Sequence, residues 1–290
     1  MGAMPATSPP DPPRASQSFV EKAGVAWVRM QGRSDAMIDP LGRAAMERLG
    51  VAAGQRVLDV GCGCGQTLLQ LAALAGPSGH VLGVDISPPM LARARERAAG
   101  QPTIALALGD AQTYAFAPGA FDALYSRFGV MFFDDPRAAF RNLRAAVRSG
   151  GGLSFVCWQD LAKNPWASRP FEAVMRLLPE SAMPDMLREG RPGPFFMSDP
   201  ARVRAILGDA GWKDVSLEPV EMPLHLAGAA TLDEAVEYSL EIGPAARAMT
   251  DAPEALKPAL EAALREALAP FASARGVFVD GAAFVVGARA

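Results

Sequence analysis

Residues 57–66, VLDVGCGCGQ, constrain this chain more than any other stretch: an apolar run ends in an acid, three glycines alternate, and an apolar helical pattern begins. One glycine is enough for a plain strand-to-helix turn. Three alternating glycines point to a backbone that a ligand approaches closely at the carboxyl end of a strand, where a side chain would stand in the way. The surrounding region, about 55–158, alternates short β-like runs with helical patterns: RVLDV, a helix over 66–75, HVLGVDI, a helix over 88–99, TIALAL, FDALYSRF, a helix over 137–147, and GLSFVCW. Such alternation predicts a parallel sheet covered on both faces. The strands are apolar continuously, not at every second residue, as burial on both faces requires.

The chain has 290 residues, half of them hydrophobic and a fifth charged, with a mean hydropathy of +0.12. That suits one large α/β domain carrying insertions. No run approaches the ~18 uninterrupted apolar residues that span a bilayer, so no membrane role is expected. The net charge of −3 and pI near 5.5 oppose a nucleic-acid surface, which needs a basic face. Arginine greatly outnumbers lysine, present only as Lys22, Lys163, Lys213 and Lys257, and alanine is abundant. Both trends read as base-composition bias. The three cysteines, including Cys62 and Cys64 in the glycine cluster, form neither a disulfide framework nor a zinc spacing. A cytoplasmic location is the expectation, with no secretory signal and no metal.

Residues 1–16 hold five prolines and almost nothing to bury, and are expected to form a flexible tail. Residues 19–49 carry apolar side chains at helical spacing and predict two short helices broken near Gly32 and Pro40. Beyond residue 158 a Pro-rich stretch with Phe195 and Phe196 precedes a helix over 199–210 and a strand over 213–221. Two helical patterns, 231–249 and 253–270, and an apolar run over 276–288 complete the chain.

The glycine turn admits two ligand readings. A dinucleotide turn has G-x-G-x-x-G and sets a pyrophosphate over a helix N-terminus. Here the pattern is G-x-G-x-G, Gln66 stands where the third glycine of that pattern belongs, and Asp59 opposes a pyrophosphate while favouring an ammonium or a sulfonium. Asp85, closing the second strand, is placed to accept both hydroxyls of a ribose, or alternatively to cap a helix. Ser87 followed by Pro88 offers a cap of its own. Asp110, after the third strand, suits the exocyclic amine of an adenine or an ordinary Gly-Asp turn.

Taken together, Asp59 with the three glycines, the strand-end Asp85 and the Gly109-Asp110-Ala111 step resemble the class I S-adenosylmethionine-dependent methyltransferases over roughly residues 19–160. The resemblance implies a doubly wound, mostly parallel, seven-stranded Rossmann-like sheet with an antiparallel last strand and a helical cap. It places Gly61, Cys62 and Gly63 against the methionine part of the cofactor and Asp59 near its amino group. Asp85 would hold the ribose, Ile86 and Met90 would pack on the adenine, and Asp110 and Ala111 would read its edge. After the fourth strand, Ser126 and Arg127 are implied on the cofactor side, and Phe128, Met131 and Phe132 on the acceptor side. Trp27 and Gln31, spaced for one helix face, would close over the cofactor. One departure is Ser149-Gly150-Gly151-Gly152 in place of the usual Pro-Gly-Gly, which loosens the turn before the fifth strand.

No residue declares itself a catalytic base. His80 starts a strand, far from strand carboxyl ends, His225 follows a late strand, and Asp135 reads as a helix cap. Methyl transfer needs little acid–base help when the donor is an activated sulfonium and alignment is in line. The expected organisation is cofactor-covering helices over 17–54, a cofactor-binding core over 55–158, and the remaining strands over 159–290, with cap insertions at about 160–197 and 231–270. Trp158, Trp166, Phe195, Phe196 and Tyr238 line the cap in this reading, with Trp158, Trp166, Phe196 and Tyr238 the acceptor candidates, for a small apolar or aromatic acceptor taking the methyl group on O, N or C. A non-catalytic S-adenosylmethionine sensor or partner module, and an NAD-dependent oxidoreductase, are the competing classes.

Overall fold

The computed structural model describes residues 17–290, with side chains from residue 23, so the tail expected at 1–16 lies outside the described residues. Strands β1 (Arg56–Val60), β2 (His80–Asp85), β3 (Ile104–Leu108), β4 (Phe121–Arg127), β5 (Val147–Trp158), β6 (Lys213–His225), β7 (Ala272–Ser273) and β8 (Gly276–Arg289) form the sheet. Its order is β3-β2-β1-β4-β5-β8-β6, with the two-residue β7 pairing beside β8. β8 runs antiparallel to both β5 and β6, and the other pairs from β3 to β5 are parallel. Seven strands with one antiparallel, late in the chain, match the expectation.

Strand order reverses between β1 and β4, which opens a crevice at their carboxyl ends. Right-handed crossovers running in opposite directions from that point put helices on opposite faces. α3 (Gln66–Ala75) and α4 (Pro88–Arg97) follow β1 and β2 on one face, and α5 (Pro136–Ala146) and α7 (Pro200–Asp209) lie together on the other. The core between the layers contains Leu58, Leu124, Tyr125, Phe140 and Phe155, all fully buried.

The N-terminal helices differ from the expectation. α1 (Gln17–Arg29) and α2 (Gln31–Leu49) meet at Met30, and α2 continues through both Gly32 and Pro40. Proline interrupts a helix by removing one N–H and crowding the preceding turn. Pro40 and Ala36, whose carbonyl loses its partner, both lie on the exposed side. Water can satisfy that carbonyl, while Met37, Leu41, Ala45 and Met46 bury the opposite side over β4, β5 and β8. Gly42 lets α2 approach the sheet, and the Tyr125 hydroxyl donates to its carbonyl at 2.9 Å.

The stretch 160–197, expected to contribute helices to the cap, holds α6 (Pro165–Met175), which begins on one proline and contains another, Pro170. With α8 (Leu232–Glu241), α9 (Pro244–Ala248) and α10 (Lys257–Leu268) it forms a cap at the carboxyl ends of the strands. α8 starts on a capping box in which Thr231 and Glu234 satisfy each other's backbone N–H groups. Among the described residues no helix is long and apolar enough to cross a membrane.

Fully buried Asn164 fastens the cap to the sheet. Its amide donates to the carbonyls of Asp160 and Ala282, each at 3.0 Å, and accepts from the Ala282 N–H at 3.0 Å and the Trp166 indole at 3.3 Å. Truncation strands several buried polar groups at about 1–3 kcal/mol each. Asn164→Ala is therefore expected to lose about 2–4 kcal/mol in denaturant unfolding. A loss below about 0.5 kcal/mol would show that the bonds contribute nothing.

Candidate active site

The loop between β1 and α3 is built on its glycines. Gly61, Gly63 and Gly65 have φ of 69°, 54° and 84°, the left-handed region that side chains avoid. A Cβ on Gly61 would lie 2.7 Å from the Gly129 Cα, so the loop and the exit of β4 touch backbone to backbone. A Cβ on Gly63 would meet only the terminal methyl of Met90, at 3.0 Å. The Gly61 N–H donates to the Val84 carbonyl at 2.8 Å, and the Gly63 N–H donates to Asp85 Oδ2 at 2.8 Å. Cys62 is buried with its thiol against Gly83, and burial, with the charges of Asp59 and Asp85, pushes its pKa well above the usual thiol range. Cys64 is pushed up to about 11, again chiefly by burial. Neither thiol is a nucleophile in this state.

Three acids lie at or just beyond the carboxyl ends of three adjacent strands. Asp59 is completely buried; Thr67 donates to one carboxylate oxygen and the other, Oδ1, has no partner. Burial pushes its carboxyl up to about 7, with Asp85 adding and the Thr67 bond and Arg127 opposing. An unpaired buried carboxylate oxygen below an open glycine loop suits a cationic group and not a pyrophosphate. Asp85 is raised by burial as well, against N–H bonds from Ser87, Gly63 and Ile86. It takes the Ser87 N–H on Oδ1 at 2.9 Å, while the Ser87 hydroxyl caps nothing and has no partner. Asp110 accepts the Gln112 N–H at 2.8 Å in a local turn, and the neighbouring Ala111 carbonyl is held by Asn142 at 3.0 Å. Ile86 is 49% exposed and Met90 half-buried at the mouth of the same crevice. Ser126 ties β4 to β1, donating to the Val60 carbonyl at 2.7 Å and accepting the Gly129 N–H at 3.2 Å.

Trp27 and Gln31 do not share a helix face, because the chain changes helix at Met30. Half-buried Trp27 lies on α1, which packs on α4; Gln31 opens α2, donates to Asp35 and accepts from Arg93 at 3.4 Å. Asp35 also takes Arg97 and Arg127, each at 2.9 Å. Arg127 reaches Gln66, the first residue of α3, and Asp39 takes Gln66 at 3.1 Å. The sequence reading missed Asp35, Asp39 and Arg97. Gln31, Asp35 and Asp39 recur every fourth residue, a spacing that marks one polar helix face.

At the exit of β4, Phe128 adopts a φ of 59°, strained for a side-chain-bearing residue. Its ring stacks on Trp158 with centroids 4.2 Å apart, Trp158 lies 4.9 Å from Trp166, and Trp166 lies 6.4 Å from Phe195. A row of aromatic rings thus runs from the exit of β4 into the cap. Phe195 occupies the place expected for Phe196, whose ring turns away under the Arg202 guanidinium at 5.1 Å. Met131 is fully buried core, and Phe132 is 48% exposed beside it. Tyr238 is buried facing α2, its hydroxyl 3.2 Å from Ser34 Oγ, and so pins α8 to α2 outside the row. His225 stacks on Phe278 and bonds the Ala229 carbonyl at 3.0 Å, and Asp135 caps α5 through the Ala138 N–H.

Comparison with known proteins agrees with this geometry. A family model described as a methyltransferase domain matches residues 57–151. Aklanonic acid methyltransferase DauC of Streptomyces sp. (strain C5) is 32% identical over 156 residues, covering 51% of this chain and 71% of that protein. Demethylmenaquinone methyltransferase of Beutenbergia cavernae is 30% identical over 183 residues, covering 60% and 72%. Phosphoethanolamine N-methyltransferase 2 of Haemonchus contortus, solved with S-adenosyl-L-methionine, shares the fold with a TM-score of 0.52 at 20% identity, over 86% of this chain and 52% of that one. With the glycine loop, the three strand-end acids and the 3-2-1-4-5 order of the first five strands, these similarities identify the chain as a member of the class I S-adenosylmethionine-dependent methyltransferases.

Proposed function

We propose that the chain methylates a small apolar or aromatic acceptor that lies along the row from Phe128 to Phe195. The carrying observation is Phe128 itself, held at a strained φ at the exit of β4 and stacked on Trp158 toward the cap. Strain of this kind persists where the surroundings enforce it, and it clusters at functional sites. Two relatives more than two-thirds covered by this chain are named for aklanonic acid and demethylmenaquinone, which supports a small-molecule acceptor.

Bound S-adenosylmethionine supplies a methyl group already activated by its sulfonium. The chain's part is to hold both reactants in line and exclude water. In this reading Asp59 pairs with the amino group, the backbone at residues 61–63 flanks the methionine portion, and Arg127 meets its carboxylate. Asp85 accepts the ribose hydroxyls, Ile86 and Met90 pack on the adenine, and Asp110 and Ala111 read its edge. Ser126 holds the β4 exit in place, while Trp27 and Gln31 close the cofactor side. No proton acceptor is assigned, so alignment carries the rate.

Two outcomes test this. Because the Asp59 carboxyl lies near 7, its charge is present above that pH and lost below it. S-adenosylhomocysteine affinity is therefore expected to fall about 10–30-fold between pH 7.5 and pH 5.5 in titration calorimetry, and Asp59→Asn should be weak and pH-flat. The unliganded fold should respond with the opposite sign, since a raised carboxyl pKa adds stability as pH falls from about 7 toward 4. A pH-independent wild-type affinity would remove Asp59 from the ammonium site.

For the acceptor, Phe195→Ala should lower kcat/KM about 10–100-fold, followed as S-adenosylhomocysteine release from a metabolite extract, with cofactor affinity within about twofold of wild type. Parallel loss of melting temperature, cofactor affinity and turnover would mean that the ring only packs the cap.

A further inference from the structure

The reading of Arg127 as the partner of the cofactor's carboxylate leaves open what holds so long a side chain in place before the ligand arrives. Asp35, only 9% exposed, faces it from α2. Asp35 Oδ1 accepts Arg127 Nη2 at 2.9 Å and Oδ2 accepts Arg97 Nη1 at 2.9 Å, the latter nitrogen also donating to the Cys64 carbonyl at 3.1 Å. The other Nη of Arg127 reaches Gln66 at the start of α3. Gly42 completes the seat: a Cβ there would lie 2.7 Å from Arg127 Cδ, so the arginine stem lies flat on the helix only because that residue has no side chain. One guanidinium is thus fixed by α2, by α3 and by its own strand, beside the glycine loop.

Charge points the same way. Two guanidinium groups share one Asp35 carboxylate, and the neighbouring Asp39 is paired with Arg43 at 2.6 Å, which leaves one positive charge in excess on this side of the loop. Asp59 and Asp85 supply the negative charge on the β1–β2 side. A zwitterionic amino-acid end therefore finds a complementary group at each of its poles. An arginine already held in its fork geometry binds a carboxylate without first losing its rotamer freedom.

Resting on that reading of Arg127, we propose that Asp35 is a positioning residue for the cofactor: it holds Arg127 and Arg97 at the glycine loop so that Arg127 meets the carboxylate of the methionine end. The effect of Asp35 should then depend on whether the ligand has a carboxylate at all, which a purely structural role would not.

Titration calorimetry on the full chain with S-adenosylhomocysteine and with its decarboxylated counterpart tests this. Wild type should prefer the carboxylate-bearing ligand about 10–100-fold, and both Arg127→Met and Asp35→Asn should cut that preference by about tenfold or more. Should Asp35→Asn not fold, the charge-balanced double variant Asp35→Asn/Arg97→Gln, which leaves no extra buried charge, is expected to show the same loss. Loss in Arg127→Met with an unchanged or increased preference in the folded Asp35 variants would overturn the role of Asp35 and leave the reading of Arg127 standing. An unchanged preference in Arg127→Met would overturn both.

Discussion

Gly61 and Gly129 press backbone on backbone where β1 and β4 diverge, and the geometry of the site follows from that contact. A Cβ on Gly129 would lie 2.6 Å from the Val60 carbonyl and 2.9 Å from the Gly61 Cα, so neither partner tolerates a side chain without movement. The contact lies at the point where strand order reverses, the place where open α/β sheets bind ligands. Ser126 locks it from the β4 side by bonding Val60 and Gly129, and Asp85 locks the other end of the loop by taking the Gly63 N–H. The same backbone contact sets the direction in which Phe128 leaves β4, and with it the start of the aromatic row.

Electrostatics divide the crevice. Asp59 is fully buried and Asp85 partly so, and burial raises the pKa of both, a costly arrangement that the proposed ammonium and ribose hydroxyls would offset. Opposite them, α2 brings Asp35 and Asp39 onto Arg97, Arg127 and Gln66. One turn of α2 also reaches the cap, where Arg33 pairs with Glu237 at 3.2 Å and Ser34 meets Tyr238. The helix that carries Asp35 beside the glycine loop is therefore in direct contact with the cap helix α8.

Much of this was legible in the sequence, because the decisive signals were local. Continuous apolar runs marked the parallel strands, and alternating glycines after an acid marked the loop. What escaped depended on tertiary context. Pro40 looks like a helix break, yet α2 runs through it and keeps its apolar face buried. Phe195 and Phe196 are adjacent and chemically identical; only the turn at 193–198 decides which ring meets Trp166 and which meets Arg202. Tyr238 looked like a pocket aromatic because nothing in its own helix reveals that α2 offers Ser34 to its hydroxyl.

The measurement that bears most directly on this account is the affinity of S-adenosylhomocysteine for Asp85→Asn, compared with wild type by titration calorimetry alongside melting temperature. Asp85 both pins the Gly63 N–H and is the residue assigned to the ribose, so its carboxylate joins the loop to the ligand. The account predicts an affinity lower by about 10–100-fold in a variant that remains folded. A folded Asp85→Asn protein that binds as tightly as wild type would contradict it.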